Sequence, residues 1–590
     1  MRGFVLAFGV ICAGLAVAQP LTVVDLQSFR QEQEIHNDRG DTVRLINLNP
    51  NVGAWYVLET NFAGKKSVFH LELALPSVLP AQKLKISLYR DGLILPQATG
   101  DSCSCSLWNG ANSSIDRGMT PFLSGVVTKT NGELNANPVL ADVLQPPKSF
   151  AAPLTPICDG QLFVRTQFAG STTTLEAATD TLRKTRLGGW LVEAVKPYLI
   201  EAPEEGEQLT DPVKKKSAPA EASLPRSAVV NPDKADRFSE KNRLGIENDA
   251  ENHKLYYGQW YKAIHHDGVY VSVMTLEDVA PEILSSFPDR AEVYTPASRG
   301  REVGALAYFA AFDMSRFAFG YGLGAEHPGV EWSDHAKAVP HIPPPGPDGI
   351  GNKRPLATVG SVPPYYLPQL EAVFSGGFKR QHGAFHSGEL GKVNNGSHFG
   401  FMEQGVVFSK LQPGLATARI GLDGALSMLT WPADDKALLP ELRAARQNCL
   451  PLIEGYDTEK KMPIPGQYLK SQGLGAWSGD KDGNFLTIRS GIGVQEVDGR
   501  KYLLFGYFTG ATPSSMARVF QAYDCKYAMI LDINTPNYGY IALYLRDASG
   551  EISGVENLNT EMAGGAVDKN ALKFIQKDDT RDFFCVLRKP

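Results

Sequence analysis

The residues of this chain able to do chemistry fall in three short stretches and one looser cluster. The apolar run Tyr527-Ala528-Met529-Ile530-Leu531 ends on Asp532, with Ile533 and Asn534 following. A carboxylate at the end of a buried strand, facing a cleft, can serve as acid, base or nucleophile, and Asn534 can orient its partners through a hydrogen bond. The plainer reading is a strand-end residue that bonds the following turn. Upstream, Arg489-Ser490-Gly491-Ile492-Gly493 sets an arginine at a strand start, where a guanidinium can clamp a phosphate through two parallel N–H donors. Further up, Phe374-Ser375-Gly376-Gly377-Phe378 runs into Lys379, Arg380 and His382. Paired glycines let backbone N–H groups approach an anion, although on composition alone a tight turn is the favoured reading. The cluster from Glu326 to His335, with His341 behind it, holds His327 and His335, but Pro328 and Gly329 break any helix that would align them on a metal. It is read as a loop, and no metal or cofactor is assigned. The serine-hydrolase elbow, the HExxH zinc motif and the Walker loop are absent.

Such residues need elements to position them. Val269 to Met274, Gly304 to Phe312, Phe399 to Phe408, Leu426 to Trp431, Phe485 to Ile488, Lys501 to Phe508 and Tyr540 to Leu545 read as strands. Asp434 to Asn448 reads as a helix. A second helix begins after Thr512, which can cap it; Pro513 suits the first helical position, and Met516, Val519, Phe520 and Tyr523 share one face. Strands alternating with helices predict a mixed-sheet α+β domain over residues 244–590. Residues 19–200 carry short β-rich runs, Val43 to Leu48, Ala54 to Thr60, Ser67 to Leu75 and Leu84 to Leu95, which predict an antiparallel β-sandwich-like domain, followed by a helix from Leu175 to Val195. Between the two, residues 201–243 are rich in Pro, Glu, Lys, Ala and Ser without hydrophobic periodicity, and read as a disordered linker.

The compartment follows from the first residues. Arg2, an apolar run to Ala18 and the small-x-small site Ala16-Val17-Ala18 before Gln19 predict a signal peptide over residues 1–18, and hence a periplasmic or extracellular protein. No later run reaches the roughly 18 apolar residues of a membrane helix, so no transmembrane segment is expected in the mature chain. An oxidising compartment invites disulfides, with Cys449 to Cys525, and Cys158 to Cys103 or Cys105, as preferred pairs. Over 590 residues, 58 Lys and Arg stand against 64 Asp and Glu, a formal charge of −6. That balance argues against a protein that coats nucleic acid or an anionic membrane, since both tasks need clustered positive charge. The 43% hydrophobic content supports globular domains and rules out a disordered chain.

The succession of Ser375-Gly376-Gly377-Phe378, Arg489-Ser490-Gly491-Ile492-Gly493, the helix from Thr512 to Tyr523 and the strand ending in Leu531-Asp532 resembles the phosphodiester glycosidase domain family, as a divergent member. The resemblance covers residues 260–548 through scattered short motifs. It implies hydrolysis of a sugar-phosphodiester linkage in a phosphorylated glycan or envelope polymer. Arg489 and the Gly376 and Gly377 amides would then bind the phosphate, with Ser375 beside them. Asp532 would activate water or stabilise an oxocarbenium-like transition state, His382 would donate a proton, Asn534 would orient, and Glu389 or Glu403 would be the second carboxylate. Two departures stand out: Ser375 occupies a position that is commonly Asn in the family, and Asp532 runs into Ile533-Asn534-Thr535-Pro536 rather than a glycine-rich loop. Either the substrate differs, or the domain is an inactive envelope protein that binds glycan or a protein partner.

Overall fold

The computed structural model of the chain describes residues 21–22, 31–36, 40, 42–47, 55–62, 64–73, 87–89, 92–96, 102–106, 126–130, 133–137, 154–157, 162–165, 224–239, 243–287, 302–324, 360–377, 400–403, 405–409, 411–467, 469, 486–563, 572–575, 579 and 581–590. The signal peptide, the helix expected over 175–195, the stretch 201–223, the 326–341 cluster, Cys158, His382 and Glu389 lie outside the described residues.

The expected α+β architecture is corrected: the chain is built mainly of β-strands in several antiparallel sheets, with little helix. Asp434 to Asn448 shows why. Its leucines and alanines have helical spacing, but Pro440 removes a backbone donor and breaks the pattern. Leu439–Glu441 is a single 3₁₀ turn, and Leu442–Gln447 is a strand paired on both sides, with Phe401–Glu403 and Ala416–Gly421. The cysteine expectation is corrected too. Cys449 and Cys525 are buried thiols that form no bond with each other, and Cys585 is a third buried thiol. Cys449 follows the 442–447 strand, whereas Cys525 opens the strand Cys525–Ile533, so each thiol is packed into a wall of the core.

In the N-terminal part, Gln31–His36, Thr42–Asn47, Trp55–Phe62 and Lys65–Leu73 follow one another as antiparallel neighbours, joined by Leu162–Arg165 and Leu154–Ile157. The run expected as one strand from Leu84 to Leu95 is a hairpin of Ser87–Tyr89 and Gly92–Pro96.

Three sheets frame the larger body. An eight-stranded sheet runs in the order Tyr261–Lys262, Val269–Thr275, Leu306–Asp313, Arg500–Ala511, Thr487–Val497, Cys525–Ile533, Pro451–Asp457 and Met462–Pro465. A five-stranded sheet holds Phe317–Gly322, Phe583–Arg588, Leu370–Ser375, Ile541–Arg546 and Ile552–Asn557. A six-stranded sheet contains the 401–403, 416–421 and 442–447 strands. Phe374, on the five-stranded sheet, lies 5.3 Å from Phe505 on the eight-stranded sheet and stacks on Phe584 at the same distance, so the two sheets share an aromatic core.

The helix Pro513–Ala522 forms as expected, with Thr512 and Ser515 making a capping box. All ten of its residues are buried. It connects the 500–511 and 525–533 strands across the intervening 487–497 strand. That crossing explains two glycines: a Cβ on Gly491 would stand 2.9 Å from Met516 Cε, and one on Gly493 2.9 Å from Phe520 Cδ1. They lie inside a continuous strand and let the helix seat directly on it.

Residues 224–239 pack against this body. Val229 N–H donates to Ala522 O at 2.9 Å, Trp260 Nε1 donates to Arg226 O at 2.9 Å, and Phe238 is buried.

Candidate functional site at the strand ends

Several strands end together. Asp532 closes the 525–533 strand, Arg489 lies near the start of the 487–497 strand with its Cα opposite Ile533, and Ser375 ends the 370–375 strand. Ser375 N–H donates to Tyr540 O at 2.9 Å, and Gly376 N–H donates to Asp582 O at 2.7 Å. Gly377, with φ +145°, lies so close to its neighbours that a Cβ would be 3.2 Å from Asn448 Nδ2 and 3.5 Å from Arg446 Nη2. Asn448 Nδ2 in turn donates to Ile530 O and Leu531 O, both at 2.9 Å, so the glycine turn is one side chain away from Asp532. The 375–377 turn therefore lies beside Asp582, Arg446 and Asn448, and Asn448 bonds the strand that ends near Asp532, whereas Arg489 and Asn534 meet that strand end through backbone pairing.

Charge is concentrated there and almost wholly buried. Asp532 Oδ2 faces Arg581 Nε at 2.6 Å, its Oδ1 accepts from Ile533 N–H at 2.8 Å, and its carbonyl accepts from Ser490 Oγ at 3.0 Å. Arg446 Nε faces Asp582 Oδ2 at 3.0 Å, and Asp582 also accepts from Tyr321 Oη at 2.7 Å and Gly324 N–H at 2.9 Å. Lys573 Nζ lies 3.1 Å from Asp579 Oδ2, and Arg581 stacks over Tyr538 with 3.5 Å between Cζ and the ring centroid. Burial works to raise the Asp579 pKa, but Lys573 and Arg581 outweigh it and hold the carboxyl below the usual aspartate range. Burial lowers the pKa of Lys573 against the pull of Asp579. Arg446, Arg581 and Lys573 thus each face one carboxylate, of Asp582, Asp532 and Asp579 respectively.

The expected residues take unequal places in it. The Gly376 amide is committed to Asp582, leaving Gly377 as the glycine beside Arg446. Arg489 Nε donates to Ala511 O at 2.7 Å, fixing its guanidinium across the sheet beside the helix start. The Ser375 hydroxyl is fully buried and makes no hydrogen bond among the described residues. Asn534 takes φ 89°, a conformation asparagine tolerates better than most residues. Glu403 is buried on the 401–403 strand, its charge acting on Tyr365, Tyr366 and Cys585.

Arg446, Asn448, Arg581 and Asp582 were not anticipated. The signal was legible after the fact: Arg446-Gln447-Asn448 is a polar run between apolar ones, and Asp579-Thr580-Arg581-Asp582 directly precedes the apolar Phe583-Phe584-Cys585-Val586. A groove of about 470 Å³ lined by Gly455, Tyr456, Glu496, Asp498, Gly499 and Lys526 lies at the opposite end of the 487–497 strand, away from this cluster.

No protein-family model matches the chain, and no curated protein sequence matches it. Among solved structures, it has a remote likeness to the catalytic domain of zebrafish N-acetylglucosamine-1-phosphodiester alpha-N-acetylglucosaminidase, auto-inhibited by its pro-peptide. There the identity is 11%, the TM-score 0.27, and the match covers 48% of this chain and 78% of that one. A protein of Burkholderia pseudomallei described as exported matches at 11% identity and a TM-score of 0.14, covering 43% of this chain and 74% of that one.

Proposed function

We propose that the chain is a periplasmic or extracellular hydrolase of phosphodiester-glycosidase type, cleaving a sugar linked through phosphate in a phosphorylated glycan, with residues 244–590 as the acting domain. What supports this reading is the buried Asp532–Arg581 pair at a strand end whose backbone pairs with that of Arg489, with Asn448 reaching from that strand to the Gly377 turn and Arg446. Arginines held by buried partners present fixed donors to a phosphate, whose charge they would disperse as it leaves. Asp532 would act on the sugar carbon or its attacking water once the substrate draws Arg581 toward the phosphate. Asp582, with acceptors already engaged by Tyr321, Gly324 and Arg446, would position Arg446.

The burial of Asp532 against Arg581 also favours a second reading, in which the site binds a phosphorylated glycan without cleaving it. Release of a chromogenic leaving group from a sugar phosphodiester by the mature protein, abolished by Asp532→Asn and by Arg489→Ala, supports hydrolysis. Glycan binding that survives both substitutions with no turnover rejects it.

A further inference from the structure

Away from the strand-end cluster, three side chains from three separate chain segments direct ligand atoms to one point. They are Glu247, His265 in the loop between the 261–262 and 269–275 strands, and Glu556 on the 552–557 strand, and their ligand atoms all lie within 4.8 Å of one another. His265 Nε2 is 2.9 Å from Glu247 Oε2.

Main-chain bonds hold this geometry. Ile264 N–H donates to Glu247 O at 2.9 Å, Glu247 N–H donates to Glu556 Oε1 at 3.2 Å, and bridges pair Asn248 with Ala263 and Leu244 with Asn559. Behind Glu556 stands a second layer. His266 Nε2 lies 3.0 Å from Glu556 Oε2, its Nδ1 lies 2.7 Å from Glu371 Oε1, and Glu371 faces Arg588 Nε at 2.6 Å. His266 and Glu371 are both buried. Outer partners of this kind fix the orientation of a metal-bound carboxylate.

We propose that Glu247, His265 and Glu556 form a surface site for a divalent transition-metal ion, with Zn²⁺ as the probe of choice. One imidazole nitrogen with two carboxylate oxygens suits zinc, cobalt, nickel or manganese; calcium and magnesium prefer all-oxygen sets, and copper(I) prefers sulfur. Three protein ligands leave room for water. The ion would tie the 243–250 segment to the 552–557 strand, so its binding would be read as added stability as well as occupancy.

The test uses the full chain without a histidine tag, stripped with chelator and titrated with Zn²⁺ by calorimetry, with thermal unfolding in parallel. Because His265 and Glu247 are exposed, His265→Ala and Glu247→Gln leave the core intact. Each should lower affinity at one site by at least about tenfold and remove the zinc-dependent rise in Tm, while Glu251→Gln on the neighbouring turn changes neither. Zinc binding and stabilisation in His265→Ala equal to those of the parent chain would overturn the proposal, as would a parent chain that binds no zinc.

Discussion

Arg581 Nε stands 2.6 Å from Asp532 Oδ2, with both side chains almost completely removed from solvent. Arg581 comes from the segment before the last strand, and Asp532 from the end of a strand in a different sheet. This pair joins the two sheets where the candidate site lies. Whatever binds there must compete with it.

Removing the cation from a buried pair strands a carboxylate in a poorly solvated place. Arg581→Ala should therefore lower unfolding stability by about 3–5 kcal/mol, whereas Asp532→Asn, which removes the charge and keeps the shape, should cost less. Urea unfolding of both single variants and the double variant gives the coupling between them. An Arg581→Ala protein as stable as the parent would show that the pair contributes nothing.

Gly377 combines a positive φ with neighbours that a Cβ would crowd. Gly377→Ala should cost about 1–3 kcal/mol and push Asn448 or Arg446 out of place. Turnover of a sugar phosphodiester should fall more than stability does. Unchanged kinetics in this variant would separate the turn from the site.

Cys449, Cys525 and Cys585 are buried as thiols, and burial pushes the Cys525 and Cys585 pKa values up. In the folded protein all three should resist iodoacetamide, and all three should be alkylated in guanidinium without reductant. Peptide mapping by mass spectrometry reads each position. A Cys449–Cys525 cross-link surviving in denaturant would refute the thiol assignment.

The Asp579 carboxyl has its pKa depressed below the ordinary value of 3.8: burial opposes ionisation, and Lys573 with Arg581 prevails. A group with a lowered folded-state pKa contributes stability that is present above the unfolded value and is lost as pH falls through the folded one. Asp579→Asn should flatten the acid limb of the stability curve below about pH 4. The check is the urea midpoint measured from neutral to acid pH. An acid slope as steep as the parent's would mean that other carboxylates carry it.

Parts of this arrangement were legible in advance. Thr512, Pro513 and the apolar stripe from Met516 to Tyr523 specify a capped helix locally, and the strand ending at Asp532 announced itself by its unbroken apolar run. Other parts were not. Gly491 and Gly493 look like turn residues in one dimension, and only the helix lying on them shows that they are strand positions cleared for packing. The 434–448 stretch has helical spacing, but its last residues found strand partners on both sides, and that pairing lies far away in sequence.

The sequence by itself determined the local pieces: the candidate chemistry at Ser375, Gly377, Arg489 and Asp532, the helix after Thr512, and most of the apolar strands. Tertiary structure decided the β-dominated architecture, the burial of Cys449 and Cys525 as unbonded thiols, and the pairing of Arg581 with Asp532 and of Asn448 with the strand before it. The physical reason is that caps, turns and periodicity act over a few neighbouring residues, whereas strand pairing and the neutralisation of buried charge join residues distant in the chain.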